Sequence, residues 1–236
     1  MTDSPTLSLI LPAYNEAATI LATVEEAIRF LDSQKIAFEI IVVADGTDGT
    51  RERVAAFAER DSRVQEMGTP ERRGKGRGVK DGVLAARGRF IGFADADNKT
   101  PISEFPPFHK ALLNGAPIVI GNRKMKTSQV DVAQPLIRRL GSKAFHLVMN
   151  QFMGLKDISD TQCGFKFFES SVARRLFTEL KTDGYMFDVE ILFLAVRQGI
   201  PILQLPVRWR DDADSRLDLI RGNLRNIRDV LRIRLG

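Results

Sequence analysis

The chain has 236 residues, 44% apolar and 28% charged, enough for a substantial core in one large α/β domain or two small ones. Its 35 lysines and arginines against 30 acids give a net charge of +5 that suits an anionic partner, yet they are dispersed among acids with only two tyrosines and one tryptophan, which argues against nucleic-acid binding. One cysteine, Cys163, excludes an intrachain disulfide, and no apolar run approaches the roughly twenty residues needed to cross a bilayer.

Met1-Thr2-Asp3-Ser4-Pro5 lacks the basic start and apolar core of a signal peptide. The expectation is a soluble or surface-bound protein in a reducing cytoplasm, with Cys163 buried rather than reactive.

Thr6 to Leu11 reads as a strand broken by Pro12 and followed by Ala13-Tyr14-Asn15-Glu16. Ile20, Val24, Ile28 and Leu31 then recur at helical spacing. Phe38 to Val43 is a second apolar run, ending in Ala44-Asp45-Gly46-Thr47-Asp48-Gly49-Thr50 before a helix with Val54 and Phe57. A weaker strand near Arg63 to Met67 leads into a flexible, glycine-rich basic loop, Arg72-Arg73-Gly74-Lys75-Gly76-Arg77-Gly78, and a helix carrying Val79, Val83 and Leu84.

Phe90 to Ala94 is the central strand, and its apolar run stops at Asp95-Ala96-Asp97. A helix from about Ser103 to Leu113 and a strand from Pro117 to Gly121 follow. The alternation predicts an α/β fold with a mostly parallel sheet flanked by helices, whose ligands sit at the carboxyl ends of the strands. Beyond it, Asn122 to Gln134 is a polar loop, and Pro135 opens a long helix through Ile137, Leu140, Ala144, Leu147 and Val148. Gly164 to Phe168 is a strand, Phe187 to Val196 a mostly buried helix and Ile202 to Trp209 a last strand. From Ser215 onward Leu217, Ile220, Leu224, Ile227, Leu231 and Leu235 alternate with six arginines, predicting an amphipathic basic helix about 30 Å long. Residues 1–214 are then one domain, and 215–236 a helix that packs on the core or lies on an anionic membrane surface.

Two familiar phosphate loops fail by spacing. No Gly-x-Gly-x-x-Gly follows the first strand, and Lys75 is followed by Gly76 rather than Ser or Thr. A nucleotide would instead meet an aromatic and an acid after strand one, an acid after strand two and the acidic pair after the central strand. Tyr14 can pack on a base and Asp45 can accept from a base N–H, while Lys75 and Arg77 add positive charge. Two carboxylates at i, i+2 project to one side of an extended segment and suit a hard cation that also takes diphosphate oxygens, or they form an Asx-rich turn that merely closes the strand.

Pro12-Ala13-Tyr14-Asn15-Glu16, Asp45 to Thr50, Gly74-Lys75-Gly76 and Asp95-Ala96-Asp97 together resemble the family-2 inverting glycosyltransferases of GT-A fold. Asp160-Thr161-Gln162-Cys163-Gly164-Phe165-Lys166, Phe187-Asp188-Val189-Glu190 and Ser215-Arg216 are similar to the branch that transfers sugar to dolichyl phosphate. The resemblance implies transfer from a nucleotide-sugar, UDP-glucose in preference to GDP-mannose, to a polyprenyl phosphate on the cytoplasmic leaflet. It also implies Mg²⁺ or Mn²⁺ on Asp97 and Asp95, with Pro12, Tyr14, Glu16, Asp45 and Lys75 lining the nucleotide-sugar site. Two positions depart from the pattern: Ala44 replaces an acid in the turn after strand two, and Lys99 stands where a further metal ligand is common.

A phosphate monoester is already anionic, so its transfer needs charge neutralisation more than a base. Arg123, Arg138, Arg139 and Arg216 fit that demand because a guanidinium binds phosphate oxygens in a fork. Asp160 is expected to orient sugar or acceptor, Asp188 and Glu190 serve equally as buried partners of nearby arginines, and any of the three is open as the base that a hydroxyl acceptor would need. Transfer to a sugar or protein hydroxyl, and a non-catalytic nucleotide-sugar-binding module, stay open on sequence alone.

Overall fold

The computed structural model describes residues 4–130, 151–210 and 228–235. Leu7–Tyr14 (β1), Phe38–Asp45 (β2), Val64–Met67 (β3), Phe90–Ala94 (β4), Ile118–Asn122 (β5), Phe165–Glu169 (β7) and Ile202–Pro206 (β8) form one sheet in the order β3-β2-β1-β4-β7-β5-β8, and Gln129–Val130 (β6) belongs to a second. All neighbouring pairs are parallel except those of β7, which runs antiparallel to both β4 and β5. That reversal brings the amino end of β7 beside the carboxyl end of β4, where Ala94 faces Phe165.

Continuous apolar runs are what a sheet buried on both faces requires. Ile10, Ile41, Val43 and Phe93 project to one face, where Lys75–Ala85 (α3), Ser170–Glu179 (α5) and Phe187–Arg197 (α6) cover them. Leu9, Leu11, Ile40 and Val42 project to the other, beneath Ile20–Ser33 (α1), Thr50–Ala58 (α2) and Phe105–Leu113 (α4). A final helix, residues 228–235 (α7), packs on the first of these faces through Val230 and Ile233.

Several boundaries differ from the sequence expectation. β1 does not break at Pro12 but runs to Tyr14, because its ladder to β4 has ended at Ile10 and Pro12 costs that neighbour no hydrogen bond. The glycine-rich segment is loop only as far as Gly74: α3 begins at Lys75, and Gly76 within it has no side chain to hold off the Thr182 carbonyl. Within the segment expected as loop, Gln129–Val130 (β6) pairs with Arg208–Trp209 (β9), so the last expected strand divides at Val207 between two sheets. Helix α5 lacks a counterpart in the sequence reading, although the Glu169 carboxylate caps it by accepting from the amides of Ser171 and Val172 at 3.0 and 3.3 Å. The helix expected from Pro135 and the first part of that expected from Ser215 lie outside the described residues.

Candidate functional site

Parallel pairing aligns the carboxyl ends of β1, β2 and β4, so Tyr14, Asp45 and Asp95 emerge at one edge, joined by Arg123 just after β5. The turn that carries the acidic pair is tied down on the α1 side. Thr23 donates to the Ala96 carbonyl at 2.8 Å, and Asn98, at φ 55°, donates to Glu26 at 2.7 Å. On the β7 side, a Cβ at Gly164 would stand 2.2 Å from the Asp95 carboxylate. Asp95 therefore rests on bare backbone.

Each acid of the pair faces a lysine. The Lys75 ammonium donates to Asp95, and the Lys99 ammonium lies 3.5 Å from Asp97, whose carboxylate also accepts the Lys99 amide at 3.3 Å. Burial and the neighbouring negative charge of Asp95 raise the Asp97 carboxyl above the usual range. Burial opposes charge on Lys75, but attraction to Asp95 and then Asp188 outweighs it and the ammonium is raised. Two carboxylates that feel each other's charge at an accessible turn fit a hard divalent cation completed by water and donor oxygens. Among the described residues no group of three or more His, Cys, Asp or Glu side chains is placed to hold a metal.

At the β1 and β2 ends, two arginines that sequence reasoning did not single out complete the surface. Arg72 stacks 4.2 Å above the half-exposed Tyr14 ring. Asp45 is buried and accepts from the Arg73 amide at 2.8 Å and its guanidinium at 3.0 Å, while the same guanidinium reaches Asp81 at 2.7 Å. Pro12 lies within β1, and Glu16 is fixed by its amide to Thr50 at 3.0 Å and its carboxylate to Thr19 at 3.0 Å. Their signal in sequence was only adjacency: Arg72 and Arg73 directly precede Gly74-Lys75-Gly76.

Asp160 and Arg123, expected as separate catalytic groups, form one pair. The guanidinium donates through Nε at 2.8 Å and Nη2 at 2.9 Å, and the Arg123 amide adds a third bond at 2.9 Å. Burial alone would raise the Asp160 carboxyl, but Arg123 holds it down at about 2. Arg123 also stacks 5.2 Å from Trp209, and Lys99 lies 6.0 Å from the same ring, so β9 contributes an aromatic wall beside the acidic pair. Arg138, Arg139 and Arg216 lie outside the described residues.

The remaining acids are internal. Asp188 pairs with Lys166, which is fully buried and also donates to the Cys163 carbonyl at 2.6 Å; burial raises the Asp188 carboxyl. Both oxygens of Glu190 accept main-chain amides, from Lys181 at 2.9 Å and Thr182 at 2.8 Å. Cys163 is buried as expected, and burial pushes its thiol up to about 12.

The sequence matches the family described as Glycosyl transferase family 2 over residues 8–177. A dolichyl-phosphate beta-glucosyltransferase from Dictyostelium discoideum is 35% identical over 98% of this chain and 75% of that protein. Another from Drosophila melanogaster is 34% identical over 98% and 76%. Among solved structures, glucosyl-3-phosphoglycerate synthase from Mycobacterium tuberculosis, in complex with Mn²⁺, UDP-glucose and phosphoglyceric acid, is 25% identical, with a TM-score of 0.70 over 98% of this chain and 79% of that one.

Proposed function

The chain belongs to glycosyl transferase family 2, and from that premise we propose that it transfers glucose from UDP-glucose to a polyprenyl phosphate with inversion at the anomeric carbon. The observation that carries the reading is the Asp95–Asp97 turn after β4, with Lys75 and Lys99 on its two carboxylates, at the same sheet edge as Tyr14 and Asp45. The names of the relatives, dolichyl-phosphate beta-glucosyltransferases, support the donor sugar and the acceptor class.

In this reading the uracil packs at Tyr14 and its N–H takes the place of the Arg73 guanidinium that now sits on Asp45, and the diphosphate lies against Lys75. Asp95 and Asp97 would hold Mg²⁺ or Mn²⁺, and the ion would supply Lewis-acid stabilisation to the departing diphosphate. An acceptor phosphate oxygen forms the new bond to the anomeric carbon as the bond to UDP breaks on the opposite side. Arg138, Arg139 and Arg216 neutralise the incoming phosphate, while Arg123, whose Nε and Nη2 already hold Asp160, borders its path.

A phosphate acceptor, which needs no base, is consistent with the pairing of Asp160 with Arg123, Asp188 with Lys166 and Glu190 with two amides. Among the described residues no helix is long and apolar enough to cross a membrane. We assign residues 1–214 to the transferase domain, and 215–236 to contact with an anionic membrane surface on the cytoplasmic face.

The test incubates the protein with UDP-glucose or GDP-mannose, a polyprenyl phosphate and Mn²⁺ or Mg²⁺. The expected result is a glucosylated lipid with stoichiometric UDP, lost on chelation of the metal. In Asp97→Ala the rate falls about 10³-fold with an unchanged melting temperature. Release of UDP without a lipid product overturns the acceptor, and an Asp97→Ala protein of full activity overturns the site.

A further inference from the structure

We propose that Glu190 is a positioning residue for Lys75, acting through the segment 180–184, and thereby sets how tightly the donor diphosphate is held. The inference rests on the reading above that Lys75 faces that diphosphate.

Glu190 stands in the first turn of α6, 3% exposed, and spends both carboxylate oxygens on the amides of Lys181 and Thr182. A carboxylate removed from water to hold two amides of an irregular segment is costly unless those amides complete its shell, as they do here. The same segment is fastened to α3 from outside: the Lys80 ammonium donates to the Leu180 carbonyl at 2.7 Å, and the Arg77 amide donates to the Asp183 carbonyl at 3.2 Å.

Between these ties the segment presses on the two glycines that flank Lys75. A Cβ at Gly74, where φ is 109°, would stand 2.3 Å from the Asp183 carbonyl oxygen, and one at Gly76 would stand 2.4 Å from that of Thr182. The backbone on both sides of Lys75 is therefore seated against a surface whose shape Glu190 fixes. Lys75 leaves that seat to reach Asp95. Asp188, on the same turn of α6 as Glu190, adds attraction for the Lys75 ammonium. A cap that served only α6 would accept amides of its own first turn; Glu190 accepts those of the preceding segment instead.

The experiment is a double-mutant cycle by titration calorimetry with UDP and Mn²⁺ on the full chain, comparing wild type, Glu190→Gln, Lys75→Met and the double variant. Glutamine keeps one acceptor oxygen and turns an NH₂ group onto the other amide. The expected results are a loss of UDP affinity of about tenfold for Glu190→Gln, at least as large a loss for Lys75→Met, and a double variant no weaker than Lys75→Met. Gly76→Ala, which perturbs the same seat from the α3 side, is expected to weaken UDP and likewise add nothing in the Lys75→Met background. A role confined to stability lowers the melting temperature of Glu190→Gln while leaving UDP affinity at the wild-type value, and that result, or additive losses, overturns the positioning role while leaving the donor site intact. Lys75→Met with unchanged UDP affinity overturns the donor reading and the inference together.

Discussion

Arg123 grips Asp160 with two parallel hydrogen bonds of 2.9 and 2.8 Å across 37 residues of sequence, joining the end of β5 to the segment that leads into β7. Asp160 is almost fully buried, so its charge depends on this partner.

The pair makes acid stability a direct readout. The folded carboxyl is held at about 2 against an ordinary value of 3.8, so its stabilisation is complete above about pH 5 and is lost as the pH falls through the ordinary value toward the folded one. The shift corresponds to about 2 kcal/mol. In urea titrations between pH 5 and pH 2, Asp160→Asn is expected to lack this part of the pH dependence. At pH 7 it is expected to be less stable by about 3 kcal/mol, because Arg123 loses its counter-ion. Identical slopes for the two proteins would show that the pair does not stabilise the fold.

Gly164 is the contact through which β7 sets the acidic pair. A Cβ there would overlap the Asp95 carboxylate at 2.2 Å, so Gly164→Ala must push that carboxylate off its present position. The expected outcome is a roughly 10²-fold lower turnover with glucose donor, on the scale of an ångström's misplacement in a reacting site. The Mn²⁺ concentration for half-maximal rate is expected to rise, with little change in melting temperature. Wild-type kinetics in Gly164→Ala would separate Asp95 from the chemistry.

How much of this was legible beforehand depends on the kind of feature. The strands ending at Tyr14, Asp45 and Ala94 are readable because parallel strands covered on both faces are almost continuously apolar. The acids at their ends stand out for the opposite reason, as polar residues where the apolar run stops. Partnership is not readable, because hydrogen bonds between Arg73 and Asp45 span 28 residues and those between Arg123 and Asp160 span 37. The reversal of β7 also has no signature in its own composition, since Phe165 to Phe168 would serve equally in a parallel strand. Helical glycines mislead in the other direction: Gly76 and Gly78 look like a loop until the backbone that crowds Gly76 is known.

Lys166 and Asp188 form an ion pair sealed in the core behind Asp95, and sealed pairs are sensitive to loss of one partner. Lys166→Met is expected to destabilise the protein by about 3 to 5 kcal/mol because it strands the Asp188 charge. Adding Asp188→Leu to Lys166→Met is expected to recover most of that loss, since two apolar residues leave no uncompensated charge. Chemical denaturation of the single and double variants measures both quantities. A double variant less stable than Lys166→Met alone would mean that Asp188 has other essential partners.

The helix at 228–235 turns Val230 and Ile233 inward onto the core and leaves Leu231 and Leu235 exposed at 46% and 81%, beside exposed Arg228 and Arg232. An exposed apolar edge flanked by guanidinium groups matches the boundary of an anionic bilayer, where each basic residue contributes on the order of 1 kcal/mol. Arg228→Gln combined with Arg232→Gln is therefore expected to weaken binding to phosphatidylserine-containing vesicles about 30-fold. Because neither arginine is among the groups around Asp95 and Asp97, turnover with a short, water-soluble acceptor phosphate is expected to stay near wild type, which separates docking from chemistry. Raising the salt concentration is expected to weaken the wild type more than the variant, since screening acts on the charges that the variant has lost. Equal vesicle binding by the two proteins at low salt would remove α7 from the membrane surface and leave its exposed leucines to a protein partner.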